Sequence, residues 1–157
     1  ISPFELYVAF IAASVVRGLA VGIGILLIGM VGFGLTVQSP GWVLIFAVLS
    51  AAMMGGLGML AGILSDKYDQ LAAFQNFIIM PLTFLSGVFY SIHALPDLWQ
   101  TISHFNPFFY MVDGFRYGFF EQSDVSVFIS LIVTCVFLVG ITAINLILLN
   151  KGVKIRK

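Results

Sequence analysis

The chain has 157 residues, of which 61% are hydrophobic and 9% are charged, and its formal net charge is zero. A soluble domain carries about 25% charged residues, so this chain would expose large apolar patches in water. The composition therefore indicates a membrane protein, and the zero net charge excludes the basic surface of a nucleic-acid-binding protein. The single cysteine, Cys135, excludes an intrachain disulfide.

Residues 1–16 carry the signals of a helix start. Ser2 is a suitable amino-terminal cap, and Pro3 and Glu5 suit a first turn. We predict a cytoplasmic interfacial helix that runs into the first membrane span. The chain begins at Ile1 without the basic region of a signal peptide, and we expect it to be the carboxy-terminal portion of a longer protein.

Four stretches are long enough to cross a membrane, which takes about 20 mostly apolar residues. A turn sequence at 38–41 ends the first stretch, and the polar residues 65–70 end the second. Pro81 lies inside the third stretch and predicts a kink near its middle. The predicted spans are residues 18–37, 42–64, 71–90 and 127–149.

Residues 91–126 lack an uninterrupted apolar run of spanning length, because prolines, a glycine and several charges divide them. Two short helices are predicted there, at 95–105 and 107–120. Irregular backbone at membrane depth must be buried in protein, so this pair predicts an external hairpin that is re-entrant or interfacial. The predicted fold class is an all-α membrane protein with about four spans, in which the hairpin precedes the last span.

The distribution of lysine and arginine predicts the orientation of the chain. An even number of spans places both ends on one side, together with the loop at 65–70. That side carries Arg17, Lys67, Lys151, Lys154, Arg156 and Lys157, against Arg116 alone on the other. Both ends, including the tail at 150–157, are therefore predicted to be cytoplasmic.

Two pairs of glycines are spaced four residues apart inside the first two spans. Such spacing places small residues on one helix face, where two backbones can approach closely. The pairs are Gly18 with Gly22, and Gly58 with Gly62. The pattern fits ordinary packing within the chain, and it also fits a dimer interface or a moving seam between helices.

The sequence contains no motif for catalysis or cofactor binding. It has no phosphate-binding loop, dinucleotide turn or catalytic carboxylate pair. His93, Asp97 and His104 lack the spacing of a recognised metal site. No charged residue lies within the predicted spans, which argues against a proton-coupled carrier. We expect no enzyme activity and no cofactor in this chain, and a transporter powered by another polypeptide fits the pattern.

Residues 77–116 resemble the type-2 ABC exporter permeases, the ABC-2 family of transmembrane subunits. The resemblance lies in Phe-Ile-Ile-Met-Pro-Leu-Thr-Phe-Leu-Ser-Gly-Val-Phe-Tyr at 77–90 and in Leu95-Pro96 with Trp99. It continues in Phe-Asn-Pro-Phe-Phe-Tyr-Met-Val-Asp-Gly-Phe-Arg at 105–116. The order and spacing of these segments match the family pattern.

The resemblance implies that this chain supplies the third to sixth spans of a six-span subunit. Such subunits pair as homodimers in a bacterial inner membrane, and ATP-binding subunits dock on the cytoplasmic side. The substrate would be a drug, polysaccharide, lipid-linked glycan or similar compound. The implied contacts with the ATP-binding subunit are Pro3, Phe4, Glu5, Asp66, Lys67 and Tyr68. The implied external gate consists of Leu95, Pro96, Trp99, Asn106, Pro107, Tyr110, Asp113 and Arg116.

Two other functions stay open from the residues alone. A membrane scaffold or assembly subunit would use the same spans and glycine faces without transporting anything. A membrane-embedded enzyme acting on lipid would need polar residues facing one another at a membrane boundary, and only the hairpin offers them.

Overall fold

The computed structural model describes residues 2–152, and every regular element in that range is helical. The helices are α1 (Pro3–Phe33), α2 (Pro40–Leu64), α3 (Tyr68–Phe74), α4 (Met80–Phe84), α5 (Asp97–His104), α6 (Pro107–Phe120) and α7 (Val127–Asn150). A π-helical turn (Gln75–Ile79) joins α3 to α4, and a 3₁₀ turn (Ile92–Ala94) precedes α5. The predicted all-α fold is confirmed. Most of the predicted basic tail, from Val153 onward, lies outside the described residues.

Helix α1 is one uninterrupted helix of 31 residues. Its start is a capping box, in which the Glu5 amide donates to Ser2 Oγ (3.2 Å) and the Ser2 amide donates to Glu5 Oε2 (2.8 Å). No break separates the predicted interfacial part from the predicted first span, and the helix ends at Phe33 rather than at residue 37. At 1.5 Å per residue it is about 46 Å long, well beyond a hydrocarbon core of about 30 Å.

Three helices, α1, α2 and α7, are long and apolar enough to cross a membrane. The helical segment in the third predicted span differs from the prediction, because it runs from Tyr68 to Phe84 and does not reach Tyr90. The π turn lies directly before Pro81, with the Met80 amide donating to Gln75 O. Proline has no N–H and crowds the carbonyl four residues earlier, and a π turn accommodates that break in the ladder.

Helix α2 is the centre of the packing. It contacts α1 on one side and α6 and α7 on the others, and α6 also packs on α7. Gly18 faces Ala51 and Gly55 faces Ser14, so α1 and α2 are antiparallel. We call the end where α1 begins and α2 and α7 finish the tail end, and the opposite end, with Ser39 and Glu121, the hairpin end.

The closest helix contacts involve glycines that the sequence analysis did not single out. A Cβ at Gly118 would lie 2.7 Å from Val43 N, and one at Gly114 would overlap the Phe46 ring. These two glycines are four residues apart on α6 and let it approach α2 closely. Of the predicted packing glycines, Gly18 contacts α2. A Cβ at each of the others (Gly22, Gly58 and Gly62) would meet no described atom within 4 Å, and for these three the dimer interface or moving seam stays a prediction.

Gly114→Ala should destabilise the protein strongly. The new methyl group overlaps the fully buried Phe46 ring, and overpacking of this kind costs about 1–3 kcal/mol. The matched control is Gly58→Ala, where the methyl group meets open space. Thermal unfolding in mild detergent should show a lower melting temperature for Gly114→Ala alone. Equal melting temperatures for the two variants would contradict the close packing of α6 on α2.

Candidate functional site

The helical hairpin of α5 and α6 enters the bundle. Phe108, at the start of α6, packs with Met53 and Ile141 in one buried cluster. Met53 and Ile141 lie about 14 residues from the hairpin ends of α2 and α7, which corresponds to about 20 Å of helix. The turn between α5 and α6 therefore lies near the middle of both long helices, as in a re-entrant hairpin.

Asn106 fixes this turn against the end of α4. Its Oδ1 accepts from the Phe108 amide (3.0 Å) and so caps α6, and its Nδ2 donates to Leu82 O (2.6 Å). The helix containing Leu82 ends two residues later, where the Ser86 amide bonds Thr83 O instead of Leu82 O. One amide side chain thus satisfies groups at two helix ends, which would otherwise lack partners.

Asp113 binds the link between α6 and α7. Its carboxylate accepts from the amides of Asp124 (2.6 Å) and Val125 (3.3 Å) and from Ser130 Oγ (3.2 Å). The side chain is 1% exposed. Burial raises the pKa of the Asp113 carboxyl, while the hydrogen bonds that it accepts act in the opposite direction. The carboxylate is therefore a structural acceptor for buried amides.

Arg116 lies one turn further along α6 and joins two loops. Its Nη2 donates to Gly87 O, and its Nη1 lies 3.4 Å from Asp124 Oδ2. Gly87 has φ +79°, a conformation that favours glycine. The guanidinium therefore holds the turn after α4 against the link before α7.

Asp124 completes this network, and the sequence analysis did not identify it as a site residue. Its Oδ1 accepts from Ser91 Oγ (2.9 Å) and its Oδ2 from the Ile92 amide (3.3 Å). His93 Nε2 lies 4.0 Å from Oδ1. The only sequence signal was an acid shortly before the last apolar run. We call Gly87, Asn106, Asp113, Arg116 and Asp124 the hairpin clamp.

The predicted gate residues divide into two groups. Asn106, Asp113 and Arg116 belong to the clamp, and Tyr110 is buried nearby, where its hydroxyl donates to His104 O (2.8 Å). Pro107 opens α6 in its first turn. The others lie at the start of α5, where Leu95 O accepts from Gln100, Pro96 occupies the N-cap position and Trp99 is exposed.

The predicted contacts for an ATP-binding subunit lie at the tail end. Pro3, Phe4 and Glu5 form the first turn of α1, and Asp66, Lys67 and Tyr68 follow the end of α2. Phe4 and Tyr68 are 61% and 82% exposed, whereas the Glu5 carboxylate is engaged in the capping box. An open cleft of about 500 Å³ lies beside Asp66 and is lined in part by Leu64, Gln70 and Phe74.

Comparison with known proteins identifies the family. Residues 1–120 match the family model described as ABC-2 type transporter. The chain belongs to the ABC-2 type transporter family. It is similar to the Inner membrane transport permease YadH of Escherichia coli K12, with 37% identity over 143 residues, which cover 91% of this chain and 56% of YadH.

A second relative is Nodulation protein J of Rhizobium leguminosarum bv. viciae. It is 29% identical over 112 residues, covering 69% of this chain and 43% of the relative. The chain thus spans about half the length of the curated relatives it matches. No solved structure matches it.

Within residues 2–152, no three His, Cys, Asp or Glu side chains are grouped so that they could hold a metal ion. The acids of the clamp instead bind backbone amides and a guanidinium. These hydrogen bonds join the loops of the hairpin end.

Asp113→Asn should loosen the clamp. The amide can no longer accept from all three donors, and each buried donor left without a partner costs about 1–3 kcal/mol. The control is Asp97→Asn, an exposed acid in the first turn of α5. Limited proteolysis should cut the link at 121–126 faster in Asp113→Asn than in the control. Equal cleavage rates would show that the carboxylate does not secure this link.

Proposed function

We propose that this chain is the permease part of an ATP-driven exporter in the bacterial inner membrane. The family membership and the similarity to a transport permease support a transport role. ATP hydrolysis would take place in a separate ATP-binding subunit, and two permease copies would pair around the substrate path. The tail end of the permease would face the cytoplasm, where the ATP-binding subunit docks, and the hairpin end would face outward.

The observation that carries the proposal is the arrangement of the tail end. The capped start of α1 and the segment after α2 lie together at one end of the bundle, each with an exposed aromatic residue. Because α1 continues without a break to Phe33, a displacement of its first turn, toward or away from the ATP-binding subunit, moves α1 as one rigid helix. This is the geometry that an ATP-binding subunit needs to move a membrane helix from the cytoplasm.

The hairpin end has the construction of a closed lid. The clamp holds the turn after α4, the α5–α6 hairpin and the start of α7 in one unit. Phe84 and Phe89 stack with ring centroids 5.8 Å apart beside this unit, and both are exposed. A substrate such as a drug, polysaccharide or lipid-linked glycan would leave past this lid when the helices separate.

ATP can drive this motion only through different affinities of the ATP-binding subunits for two conformations of the permease. The scaffold alternative uses the same helices and predicts no ATP-dependent change. Its strongest support is the apolar half of α1, where Val31 and Phe33 are 88% and 87% exposed and a partner chain would fit as well as lipid.

The test is co-purification of an ATPase with the full-length protein in mild detergent. Phe4→Ala combined with Tyr68→Ala should remove the exposed aromatic contacts and reduce the bound ATPase by about tenfold, the effect of 1.4 kcal/mol. The control is Phe33→Ala, which removes an aromatic side chain that is 87% exposed at the opposite end of α1 and should retain the ATPase.

Two other results would contradict parts of the proposal. Full ATPase binding by the double variant would show that the contact lies elsewhere. If no ATPase co-purifies with the folded wild-type protein, the scaffold function becomes the better assignment.

A further inference from the structure

A polar contact lies buried between α1, α2 and α7 near the tail end. Tyr7 and Asn145 are 5% and 0% exposed, and both face Gly56 of α2. A Cβ at Gly56 would lie 3.5 Å from the Tyr7 hydroxyl and 3.9 Å from Asn145 Nδ2, and 2.7 Å from Ile141 Cγ2. Because Gly56 has no side chain, the Tyr7 hydroxyl and the Asn145 amide can both lie against the α2 backbone at this position.

The Tyr7 hydroxyl donates its hydrogen to Thr142. The two side-chain oxygens are 2.7 Å apart, and Thr142 Oγ1 also donates to Leu138 O at 2.8 Å. A threonine hydroxyl has one hydrogen, and that hydrogen is used by Leu138. The hydrogen between Tyr7 and Thr142 must therefore come from tyrosine.

Asn145 presents a buried acceptor beside this contact. Its Nδ2 donates to Gly56 O (2.9 Å) and to Ile141 O (3.0 Å). These two bonds fix the amide orientation, because a flipped amide would turn its oxygen toward two carbonyls. Asn145 Oδ1 accepts no hydrogen bond from any residue that the structure describes.

We propose that the Tyr7 hydroxyl alternates between two acceptors, Thr142 Oγ1 in this conformation and Asn145 Oδ1 in a second one. Thr142 and Asn145 are three residues apart, so they lie on neighbouring positions of one face of α7. Asn145 is the nearer of the two to the tail end, by about 4.5 Å along the helix. A shift of α1 toward the tail end would therefore exchange one hydrogen bond for the other.

This inference rests on the proposed function, since it needs an ATP-binding subunit that draws α1 toward the tail end. Tyr7 follows directly after the turn that holds Phe4, so displacement of that turn moves its hydroxyl. Packed helices shift between discrete contacts rather than sliding continuously. Tyr7, Thr142 and Asn145 are then positioning residues, which define two resting places of α1 on α7.

The test compares Asn145→Leu with the wild type in the complex with its ATP-binding subunit. The readouts are the melting temperature without nucleotide, the melting temperature with Mg-ATP and vanadate, and ATP turnover. Asn145→Leu removes the bonds of its Nδ2 to Gly56 O and Ile141 O, but Tyr7 still binds Thr142. It should therefore lower the nucleotide-free melting temperature less than Tyr7→Phe does. It should reduce the stabilisation by nucleotide and lower turnover about fivefold or more.

Two further variants test whether Tyr7 and Asn145 act in the same step. Tyr7→Phe should lower the melting temperature without nucleotide, and it should reduce turnover no further when combined with Asn145→Leu. The control is Thr134→Val, another buried hydroxyl of α7 that donates to a carbonyl of its own helix, Ser130 O. It should keep wild-type turnover and wild-type nucleotide stabilisation.

The outcomes separate this inference from the proposed function. Wild-type turnover and nucleotide stabilisation in Asn145→Leu would overturn the two-position contact while leaving the transporter intact. The same holds if Asn145→Leu and Tyr7→Phe lower the nucleotide-free melting temperature equally, because Asn145 would then act only in the resting structure. Absence of any ATPase from the wild-type preparation would instead reject the proposed function, and this inference with it.

Discussion

The hydrogen bonds of the Asp113 carboxylate hold the architecture of the hairpin end together. The chain must reverse direction between α6 and α7 within a short link, and the amides of Asp124 and Val125 have no helical partner there. Backbone donors that are removed from water require an acceptor. A buried carboxylate supplies it, and Ser130 fixes the same carboxylate to α7. Because Asp124 then binds Arg116, the link also secures the turn at Gly87.

Close packing on α2 makes this arrangement possible. Gly114 directly follows Asp113 in α6, so one side of the helix turns toward the Phe46 ring while the carboxylate turns toward α7. A side chain at Gly114 or Gly118 would push α6 away from α2. That displacement would lengthen the hydrogen bonds that the Asp113 carboxylate accepts on the opposite side of α6. The polar clamp and the glycine contact therefore depend on each other, which explains why an acid and a glycine occur side by side in α6.

The sequence predicts those parts of the fold that depend on local composition. The apolar runs of α2 and α7, the capped start of α1 and the helical pair after Pro96 and Pro107 follow from residues in each segment. The end of α4 at Phe84 does not, because Leu82 O and Gly87 O find their partners in Asn106 and Arg116, more than 20 residues away. The packing partners of the glycines could not be predicted either, since a spacing of four residues indicates a smooth helix face without showing what packs against it. Asp124 was visible as a charge, but its role depends on which loops meet.

The two ends of the bundle share α2 and α7 as common supports. At the hairpin end α6 packs on Phe46 and bonds Ser130, and at the tail end Tyr7 meets Gly56 and Thr142 of the same two helices. The hairpin inserts between the supports only as far as Met53 and Ile141. Beyond that depth α2 and α7 pack on each other, and Asn145 Nδ2 bonds Gly56 O between them. If α1 moves as proposed, the tail halves of α2 and α7 would be the first to lose or exchange contacts with it. The hairpin clamp would then open only when that change reaches the cluster around Phe108.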